Sequence, residues 1–435
     1  MSDKYLAYPE YKESGVEWLG RIPKNWIISK VRYLTECLDG QRVPLNAEQR
    51  GEIPGNYPYW GANGVVDYVG KWLFDEDLVL IGEDGAPFFD TNKDVAFNVS
   101  DKIWVNNHAH ILRPKRGSVC GTFLKYALNR VDFHLYINGS TRDKLTQADL
   151  NNISLRLPSV EEQRTIAAFL DYETARIDRL IAQQQRLIEL LKEKRQAVIS
   201  HAVTKGLNPN APMKDSGVEW IGQVPEHWGV SALGYYSMLN TGATPDRSKN
   251  QYWGGTIPWI KTGEVRYDTI YETEETITQA ALSETSVRLS KPGTLLMAMY
   301  GQGITRGRVA ILGVSATYNQ ACVAITPNSK LTNDFLKFFF MAGYDALRDG
   351  GNETSQMNLN ADIVSKFKVL VPSYEEQIDI VSFLRIKLAH YEQLINKSEH
   401  AIALMQERRT ALISAAVTGK IDLRGWEPPA EEAAA

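Results

Sequence analysis

Cysteine is scarce in this chain, and long apolar runs are missing from it. Three cysteines, Cys37, Cys120 and Cys322, are spread over 435 residues without the short spacing of a metal site. This usage favours reduced, structural thiols. No apolar stretch approaches the roughly 18 residues that a membrane helix needs. The first residues carry charges and prolines but no apolar signal core. These absences predict a cytoplasmic protein without a membrane span.

The sequence also lacks the motifs of common enzymes. It has neither a phosphate-binding loop of the GxxxxGKS/T type nor an Asn-Pro-Pro-aromatic methyltransferase motif, and the lone GxG at 301–303 is weak support for a nucleotide site. Pro245–Asp246 begins a nuclease-like string that no Glu-x-Lys follows. His108 and His110 lie two residues apart, but zinc needs further ligands, and none is spaced nearby. We therefore predict no catalytic residue, no metal site and no cofactor in this chain.

Charge is nearly balanced, with 48 Lys and Arg against 52 Asp and Glu and a net charge of −4. Binding to DNA would therefore need local basic patches or the charge of a partner. The length predicts about two to four domains. The segment 422–435 has four acidic residues against one basic residue and contains two prolines and an alanine run. We predict that it is a disordered tail.

A long internal repeat organises the chain. Residues 11–26 and 213–228 share nine of sixteen positions at an offset of 202. The strings LPSVEEQ and VPSYEEQ begin a second match, between 157–170 and 371–384, at an offset of 214. The chain is therefore two copies of one unit, which contains a short Trp motif, a body and a long charged segment.

The two bodies match weakly. Both have short runs of β-branched and aromatic residues separated by Gly and Pro, which predict strands and loops, with a helix near 122–134 and another near 332–347. NNHAHILRP at 106–114 resembles YNQACVAITP at 318–327 with one gap. Copies that are alike in frame and different in loops suggest one task performed on two targets.

The charged segments predict two long helices. Residues 160–203 contain neither Gly nor Pro, and apolar residues recur there with 3-4 spacing. Ser159 and Ser373 open capping boxes, and Gly206 and Gly419 provide stops. Such helices need a partner, so we expect the two copies to pair antiparallel. The predicted seam consists of Ile177, Leu180, Leu187 and Leu191 in the first copy and Tyr391, Leu394, Met405 and Leu412 in the second, with an apolar flank at Ile181, Ile188, Ile395 and Ile402.

The doubled arrangement, with SGVEW and the EEQ strings, resembles the DNA specificity subunit of type I restriction–modification systems. The resemblance covers about residues 14–421. It implies an α+β fold with two pseudo-symmetric mixed α/β target recognition domains, separated by two long antiparallel helices that form a coiled coil. The predicted boundaries are 1–157 and 208–370 for the recognition domains, 158–207 and 371–421 for the helices, and 422–435 for the tail.

The same resemblance implies the function and the partners. Each recognition domain would bind one half of a bipartite sequence in double-stranded DNA, and the chain itself would be non-catalytic. Two copies of an adenine methyltransferase subunit would supply S-adenosylmethionine chemistry, and a helicase–nuclease subunit would supply restriction. A coiled-coil scaffold for two protein-binding modules and an enzyme with an unrecognised site remain alternatives from the residues alone.

Candidate DNA contacts are polar residues that differ between the copies. Arg prefers guanine edges, and Gln or Asn prefers adenine. The candidates for base contacts are Arg142, Lys144, Thr141, Gln356 and Asn352, and a solvated loop is the competing interpretation for them. The candidates for phosphate contacts are Arg247, Lys249, Arg306 and Arg308, and an ordinary surface charge is the competing interpretation for each. The aromatic loops 57–64 and 252–259 suit either DNA contact or core packing, and Glu83–Asp84 suits either cytosine or a hairpin cap.

Overall fold

The computed structural model describes residues 5–137, 143–301, 304–349 and 359–429. The chain divides into two compact units. Unit 1 is built from the chain up to Gln185 and from Ser398 onward, and unit 2 spans Arg186–Lys397. Each unit therefore contains one body and part of each long helix. Among the described residues, we find no helix whose length and apolarity would suit a membrane span.

Body 1 is built from short strands and short helices. Its strands are β1 (Tyr11–Glu13), β2 (Arg21–Pro23), β3 (Ile27–Lys30), β4 (Thr35–Cys37), β5 (Pro54–Gly61), β6 (Gly64–Val69), β7 (Phe74–Asp75), β8 (Leu78–Gly82), β9 (Ala96–Val99), β10 (Lys102–Val105), β11 (Ala109–Pro114) and β12 (Ser154–Leu157). Its helices are α1 (Val31–Leu34), α2 (Ala47–Glu52), α3 (Gly121–Leu128) and α4 (Gln147–Asn152), and the long α5 (Val160–Lys205) follows.

Two four-stranded sheets form the centre of body 1, in the orders β4-β11-β8-β9 and β6-β5-β10-β7. β10 runs parallel to β5, with Trp104 opposite Tyr59. All five residues of β8 are buried, and Val79 and Ile81 pack in one cluster with Phe123 of α3. A continuous apolar run without alternation is typical of such a two-sided, buried strand.

Body 2 has a similar set of elements. Its strands are β13 (Met213–Asp215), β14 (Gln223–Pro225), β15 (Gly229–Ala232), β16 (Ser237–Thr241), β17 (Trp253–Ile260), β18 (Thr269–Ile270), β19 (Glu275–Ile277), β20 (Leu295–Ala298), β21 (Val309–Leu312), β22 (Thr317–Tyr318), β23 (Cys322–Pro327) and β24 (Lys368–Val371). Its helices are α6 (Gln279–Glu284), α7 (Asn333–Ala342), α8 (Tyr344–Asp349) and α9 (Ala361–Lys366), and the long α10 (Tyr374–Val417) follows.

The two bodies share one frame. In body 2 the sheet orders are β16-β23-β20-β21-β18 and β19-β17-β22, and β17 has β22 as a parallel neighbour, as β5 has β10. The third and last strands of each body pair antiparallel, β3 with β12 and β15 with β24. The prediction of one frame with diverged loops is therefore confirmed for the described parts of both bodies.

The long helices begin and end at the predicted signals. The Ser159 hydroxyl accepts a hydrogen bond from the Glu162 N–H at 3.2 Å, and Ser373 and Glu376 bond each other reciprocally. Gly206 and Gly419 follow the helices with φ of 74° and 71°, a left-handed conformation that glycine adopts without strain.

Within unit 1 the first part of α5 packs antiparallel to the last part of α10. Arg409 pairs with Asp178 at 3.1 Å. Further along the chain, beyond the end of α10, the Trp426 ring lies 5.4 Å from that of Phe169, near the start of α5. The residue numbers rise on one segment as they fall on the other, which is the antiparallel pairing that we expected.

The buried stripe of α5 lies one residue away from part of the predicted seam. Leu180 and Leu187 are 42% and 41% exposed, whereas Ile188 is only 9% exposed and Ile181 is half-buried. The assignment of Leu180 and Leu187 to the buried seam is therefore wrong, because Ile181 and Ile188 satisfy the same 3-4 spacing and take those positions. Of the other predicted seam residues, Ile177 and Leu412 are buried, and Leu191, Tyr391, Leu394 and Met405 are half-buried.

The predicted disordered tail is partly ordered. The Asp422 N–H donates to the Leu6 carbonyl at 2.7 Å, and Leu423 is only 2% exposed. Trp426 contacts two aromatic rings of α5. The prediction is therefore wrong for residues 422–426, because Leu423 and Trp426 supply apolar area that the polar composition of the segment obscured. Residues 430–435 lie outside the described part of the chain.

Candidate nucleic-acid interface

The repeated motifs meet at a joint between the Trp motif and the long helix. In unit 1 the Trp26 indole N–H donates to Glu162 Oε1 at 3.0 Å, and the Tyr8 hydroxyl donates to the same oxygen at 2.5 Å. Trp26 is fully buried, and Glu162 is 9% exposed. Burial, together with the hydrogen bond to Glu162, raises the pKa of Tyr8 above its ordinary value.

Unit 2 contains the same joint. The Trp228 indole N–H donates to Glu376 Oε1 at 3.1 Å, and His227 Nε2 lies 2.8 Å from that oxygen. Burial alone would raise the pKa of Glu376. Hydrogen bonds from His227, Trp228 and Ser373 outweigh it and lower the pKa of Glu376 to about 2.

The glutamine of each EEQ string connects the long helix to its body. Gln163 is fully buried, donates to the Pro158 carbonyl at 2.9 Å and accepts from the Cys120 N–H at 2.7 Å. Gln377 is also fully buried and accepts from the Thr332 N–H at 2.9 Å. The strongest sequence signal in the chain thus marks a structural joint, whose role the sequence analysis did not assign.

Four loops of body 1 converge at one edge, which we call the loop edge. They are the β5–β6 turn at Asn63, the segment Glu83–Gly85, the turn at His108 and the segment Asp143–Leu145. Asn63 Nδ2 donates to the Gly85 carbonyl at 3.1 Å, and the Glu83 N–H donates to the His108 carbonyl at 2.8 Å. The Leu145 N–H donates to the Glu83 carbonyl at 2.8 Å, and Lys144 forms a β-bridge with Asp84. The hydrogen bonds place polar side chains from distant parts of the sequence side by side.

A network of charged side chains lies beneath this edge. Glu83 accepts from Arg42 at 2.5 Å and lies 3.1 Å from the ammonium of Lys144. His110 is 1% exposed, and its Nδ1 lies 2.5 Å from Asp39. Burial alone would raise the pKa values of Asp39 and Glu83. Hydrogen bonds from His110 to Asp39, and from Arg42 and Lys144 to Glu83, lower both pKa values instead.

Asp39, Glu83 and His110 also have the donor types of a metal site, with ligand atoms within 4.8 Å of one another. The arrangement suits an ion network better. Arg42 lies within ion-pair distance of both carboxylates, at 3.7 and 2.5 Å. His110 Nε2 faces the Leu145 carbonyl at 2.8 Å, so both ring nitrogens already have acceptor partners. A metal ion would have to displace Arg42 and these hydrogen bonds.

The matching turn of body 2 shows how the copies correspond. Asn106 and Asn319 each accept a hydrogen bond from the N–H two residues further on, His108 at 2.8 Å and Ala321 at 3.1 Å. Both asparagine N–H groups donate to the end of the neighbouring parallel strand. Residues 106–114 therefore match 319–327 without the gap that the sequence comparison introduced.

Arg247, a predicted DNA contact, lies against aromatic rings of body 2. Its guanidinium lies 4.3 Å from the ring centroid of Trp253 and 2.6 Å from the Glu275 carboxylate. The hydrogen bond from Arg247 lowers the pKa of Glu275. The Arg247 side chain is still 56% exposed. Lys249 is exposed and lies 5.3 Å from the ring centroid of Tyr252.

The other predicted contacts fall elsewhere or outside the described residues. Arg308 lies over the Tyr267 ring at 5.6 Å, and Arg306 is half-buried. Among the described contacts, those of Arg308 and Arg247 share no residue, so the structure does not bring these two arginines into one cluster. Lys144 is the predicted contact that lies at the loop edge. The predicted contacts outside the described residues are Thr141, Arg142, Asn352 and Gln356.

The aromatic loops divide between core and surface. Tyr59 and Trp259 are each 2% exposed and belong to the cores. Tyr57 packs on Trp72 with ring centroids 4.9 Å apart, and Tyr68 is 56% exposed. Core packing therefore accounts for some of these rings, while the β5–β6 hairpin also presents aromatic surface.

Fold and site define a class: a doubled protein whose two mixed α/β bodies share one frame, differ in their polar loops, and are each followed by a long helix. The family described as the type I restriction modification DNA specificity domain matches residues 23–190 and 225–402. The chain belongs to this family.

Individual relatives agree with this assignment. A putative type I restriction enzyme specificity subunit of Haemophilus influenzae is 26% identical over 380 residues, which cover 86% of this chain and 90% of the relative. The EcoKI specificity subunit of Escherichia coli is 23% identical over 443 residues, covering 92% and 90%.

Two solved structures share the fold. A chain from a type I restriction–modification system, studied for complex assembly and conformational transition, superposes with a TM-score of 0.69 at 15% identity and covers 92% of this chain and 99% of its own length. The HsdS subunit of Thermoanaerobacter tengcongensis gives 0.55 at 16% identity, covering 94% and 100%. Together with the family match, these structures confirm the predicted α+β class.

Proposed function

We propose that this chain is the subunit that gives a type I restriction–modification complex its DNA sequence specificity, with each body binding one half of a bipartite target. One observation carries the proposal: the two bodies share the order of four strands in one sheet and of three in the other, but have different polar groups at corresponding loops. A shared frame keeps the docking geometry constant, whereas base recognition requires side chains that vary.

The partners follow from the same proposal. Two copies of an adenine methyltransferase subunit would bring S-adenosylmethionine and carry out methylation, and a helicase–nuclease subunit would carry out restriction. The near-neutral charge of this chain fits that division, because partner subunits can supply the phosphate contacts that account for much of DNA affinity. The two long helices would set the unread spacer between the half-sites.

Exchange of one body is the direct test. Residues 213–370 are replaced by the equivalent body of a related specificity subunit, and the chimera is expressed with its methyltransferase in cells without other adenine methylation. Methylome sequencing should show a new base sequence in one half-site and the original sequence in the other. The reciprocal exchange of residues 11–157 should change the opposite half-site.

Three outcomes would contradict the proposal. Methylation by the purified chain alone, with S-adenosylmethionine, would show that the chain is an enzyme. A wild-type complex that contains methyltransferase but does not bind duplex DNA would favour the protein scaffold. A chimera in which both half-sites change would show that the bodies do not act independently.

A further inference from the structure

We infer that the ion network of Asp39, Arg42, Glu83 and His110 is a positioning device that fixes the segment Asp143–Leu145, and with it Lys144, for recognition of bases in the half-site of body 1. The inference rests on the proposed function and deepens it. In this inference the four residues do not contact the bases themselves. They act on the loop edge through hydrogen bonds and charge.

The contacts join the network directly to the segment. Glu83 contacts the segment Asp143–Leu145 at two points. Its backbone carbonyl accepts a hydrogen bond from the Leu145 N–H at 2.8 Å, and its carboxylate lies 3.1 Å from the Lys144 ammonium. His110 Nε2 faces the Leu145 carbonyl at 2.8 Å. Both backbone polar groups of Leu145 are thus held by the network, and Leu145 itself is fully buried.

Lys144 is fixed at its backbone, and its side chain is only partly covered. Its side chain remains 53% exposed although the ammonium is close to Glu83. Because an ammonium has three donors, Lys144 can keep its contact with Glu83 and still donate to guanine O6 or N7 in the major groove. Arg42 supports the opposite side of the network, with hydrogen bonds to Glu83 and to the Ala109 carbonyl.

Body 2 shows that the frame does not need these charges. Ala109 pairs with Gly82 in body 1, and Cys322 pairs with Ala298 in body 2. By this register Glu83 corresponds to Met299 and His110 to Val323. Met299 and Val323 are buried, with 2% and 0% exposure. The positions of Glu83 and His110 are therefore apolar in body 2 and polar in body 1.

This difference points to a role beyond stability. Removing charges from water is costly, and well-packed apolar residues in the place of a buried ion pair are often neutral or stabilising. Body 2 has such apolar residues at the positions of Glu83 and His110. The charged network of body 1 fixes the position of the segment that carries Lys144. Lys144 belongs to the loops in which the copies differ.

The test compares base preference in the two half-sites of one target. Glu83→Gln keeps the volume of the side chain but removes its charge. Its matched control is Glu76→Gln, because Glu76 also pairs with an arginine of body 1, Arg113 at 2.6 Å, away from the loop edge. Each variant is expressed with the methyltransferase, and methylation is measured at the target and at all of its single-base changes.

We expect Glu83→Gln to raise relative methylation at changed bases in one half-site by at least about five-fold, the smaller end of what one base contact discriminates. The other half-site is an internal control and should keep its preference, and Glu76→Gln should leave both unchanged. Lys144→Ala should relax the same base position. An equal loss of methylation at every sequence, with preferences intact, would show that the network is merely structural and would overturn the inference.

A second variant covers the case in which Glu83→Gln fails to fold. Body 1 receives the residues of body 2 at the network positions, as Asp39→Thr, Arg42→Thr, Glu83→Met and His110→Val. Asp39 and Arg42 correspond to Thr241 and Thr244, because Cys37 pairs with Leu112 as Leu239 pairs with Ile325. It should fold, methylate, and show relaxed preference in the same half-site. Unchanged base preference in that half-site would overturn the inference and leave the proposed function intact. A wild-type complex without any bipartite target would overturn both the inference and the proposed function.

Discussion

Trp26 donates its indole N–H to Glu162 across 136 residues of sequence, and this bond joins the Trp motif of the first copy to its long helix. The same bond recurs in the second copy between Trp228 and Glu376. Because both partners lie in the most similar parts of the repeat, their similarity reflects a joint that each body must build.

Removal of this bond should destabilise unit 1. Trp26→Phe deletes the donor to a nearly buried carboxylate and leaves unfilled volume, so we expect a loss of about 2–4 kcal/mol in the free energy of unfolding. The measurement is urea unfolding followed by circular dichroism. Trp72→Phe is the control, because Trp72 is 43% exposed and should cost less than about 1 kcal/mol. Equal losses of unfolding free energy in the two variants would contradict a stabilising role for the bond between Trp26 and Glu162.

Glu376 should make the stability of unit 2 sensitive to acid. Its pKa is lowered from 4.5 to about 2 in the folded chain. A group with a lowered pKa stabilises the folded state at pH values above its unfolded pKa, and this contribution disappears as the pH falls towards the folded pKa. Glu376→Gln should therefore be less stable than wild type near neutral pH. The difference should shrink between pH 4.5 and about 2.

The pH experiment has a control in the same helical turn. Glu375 is exposed and has a similar position relative to the helix dipole. Glu375→Gln should change the urea midpoint little, and any change should not follow the pattern of Glu376→Gln. A difference between wild type and Glu376→Gln that stays constant down to about pH 3 would refute the assignment.

Neighbouring residues on α5 should differ sharply in their effect on stability. Ile188 is 9% exposed, so Ile188→Ala should cost about 2–4 kcal/mol. Leu187 is 41% exposed, so Leu187→Ala should cost roughly 0.5 kcal/mol or less. Both variants gain similar helix propensity, which makes them a matched pair. Thermal unfolding of both would show whether the seam passes through the isoleucines, and a larger loss for Leu187→Ala would place it where the sequence analysis did.

The long helices should act as the ruler between half-sites. A heptad inserted in each, after Leu187 and after Ala401, keeps the apolar stripe in phase and adds about 10 Å to each helix. The unread spacer preferred in methylome data should lengthen by about three base pairs. The bases of each half-site should stay the same. Affinity should fall, because the added DNA rotates one half-site by roughly 100°.

A four-residue insertion in one helix alone is the control for the ruler. It puts the apolar stripe out of phase and should reduce binding more than the double heptad does. If the double-heptad variant kept the original spacer with unchanged affinity, the helices would not set the spacing.

The sequence by itself determined the repeat, the family resemblance, and the start and end of both long helices. These features depend on local chemistry. A capping box such as Ser373 with Glu376 needs partners three residues apart, and Gly206 ends a helix through its own backbone freedom. Repetition at a constant offset also tells which positions correspond, without any knowledge of where they lie in space.

Tertiary structure decided which of two stripes on α5 is buried. A pattern with 3-4 spacing fits Leu180 and Leu187 as well as Ile181 and Ile188, since a shift of one residue leaves the spacing unchanged. The choice depends on what packs against the helix, and this information lies elsewhere in the chain. For a similar reason the composition of the tail did not reveal that Trp426 packs on Phe169.

Tertiary structure also decided which charges meet at the loop edge. Asp39 and His110 are 71 residues apart in sequence, and each looks like an ordinary polar residue of a strand or loop. Only the register of β11 against β4 and β8 brings the two side chains together beside Glu83. Because the attraction between charges depends on distance through space and on burial, no pattern along the chain could have specified this network.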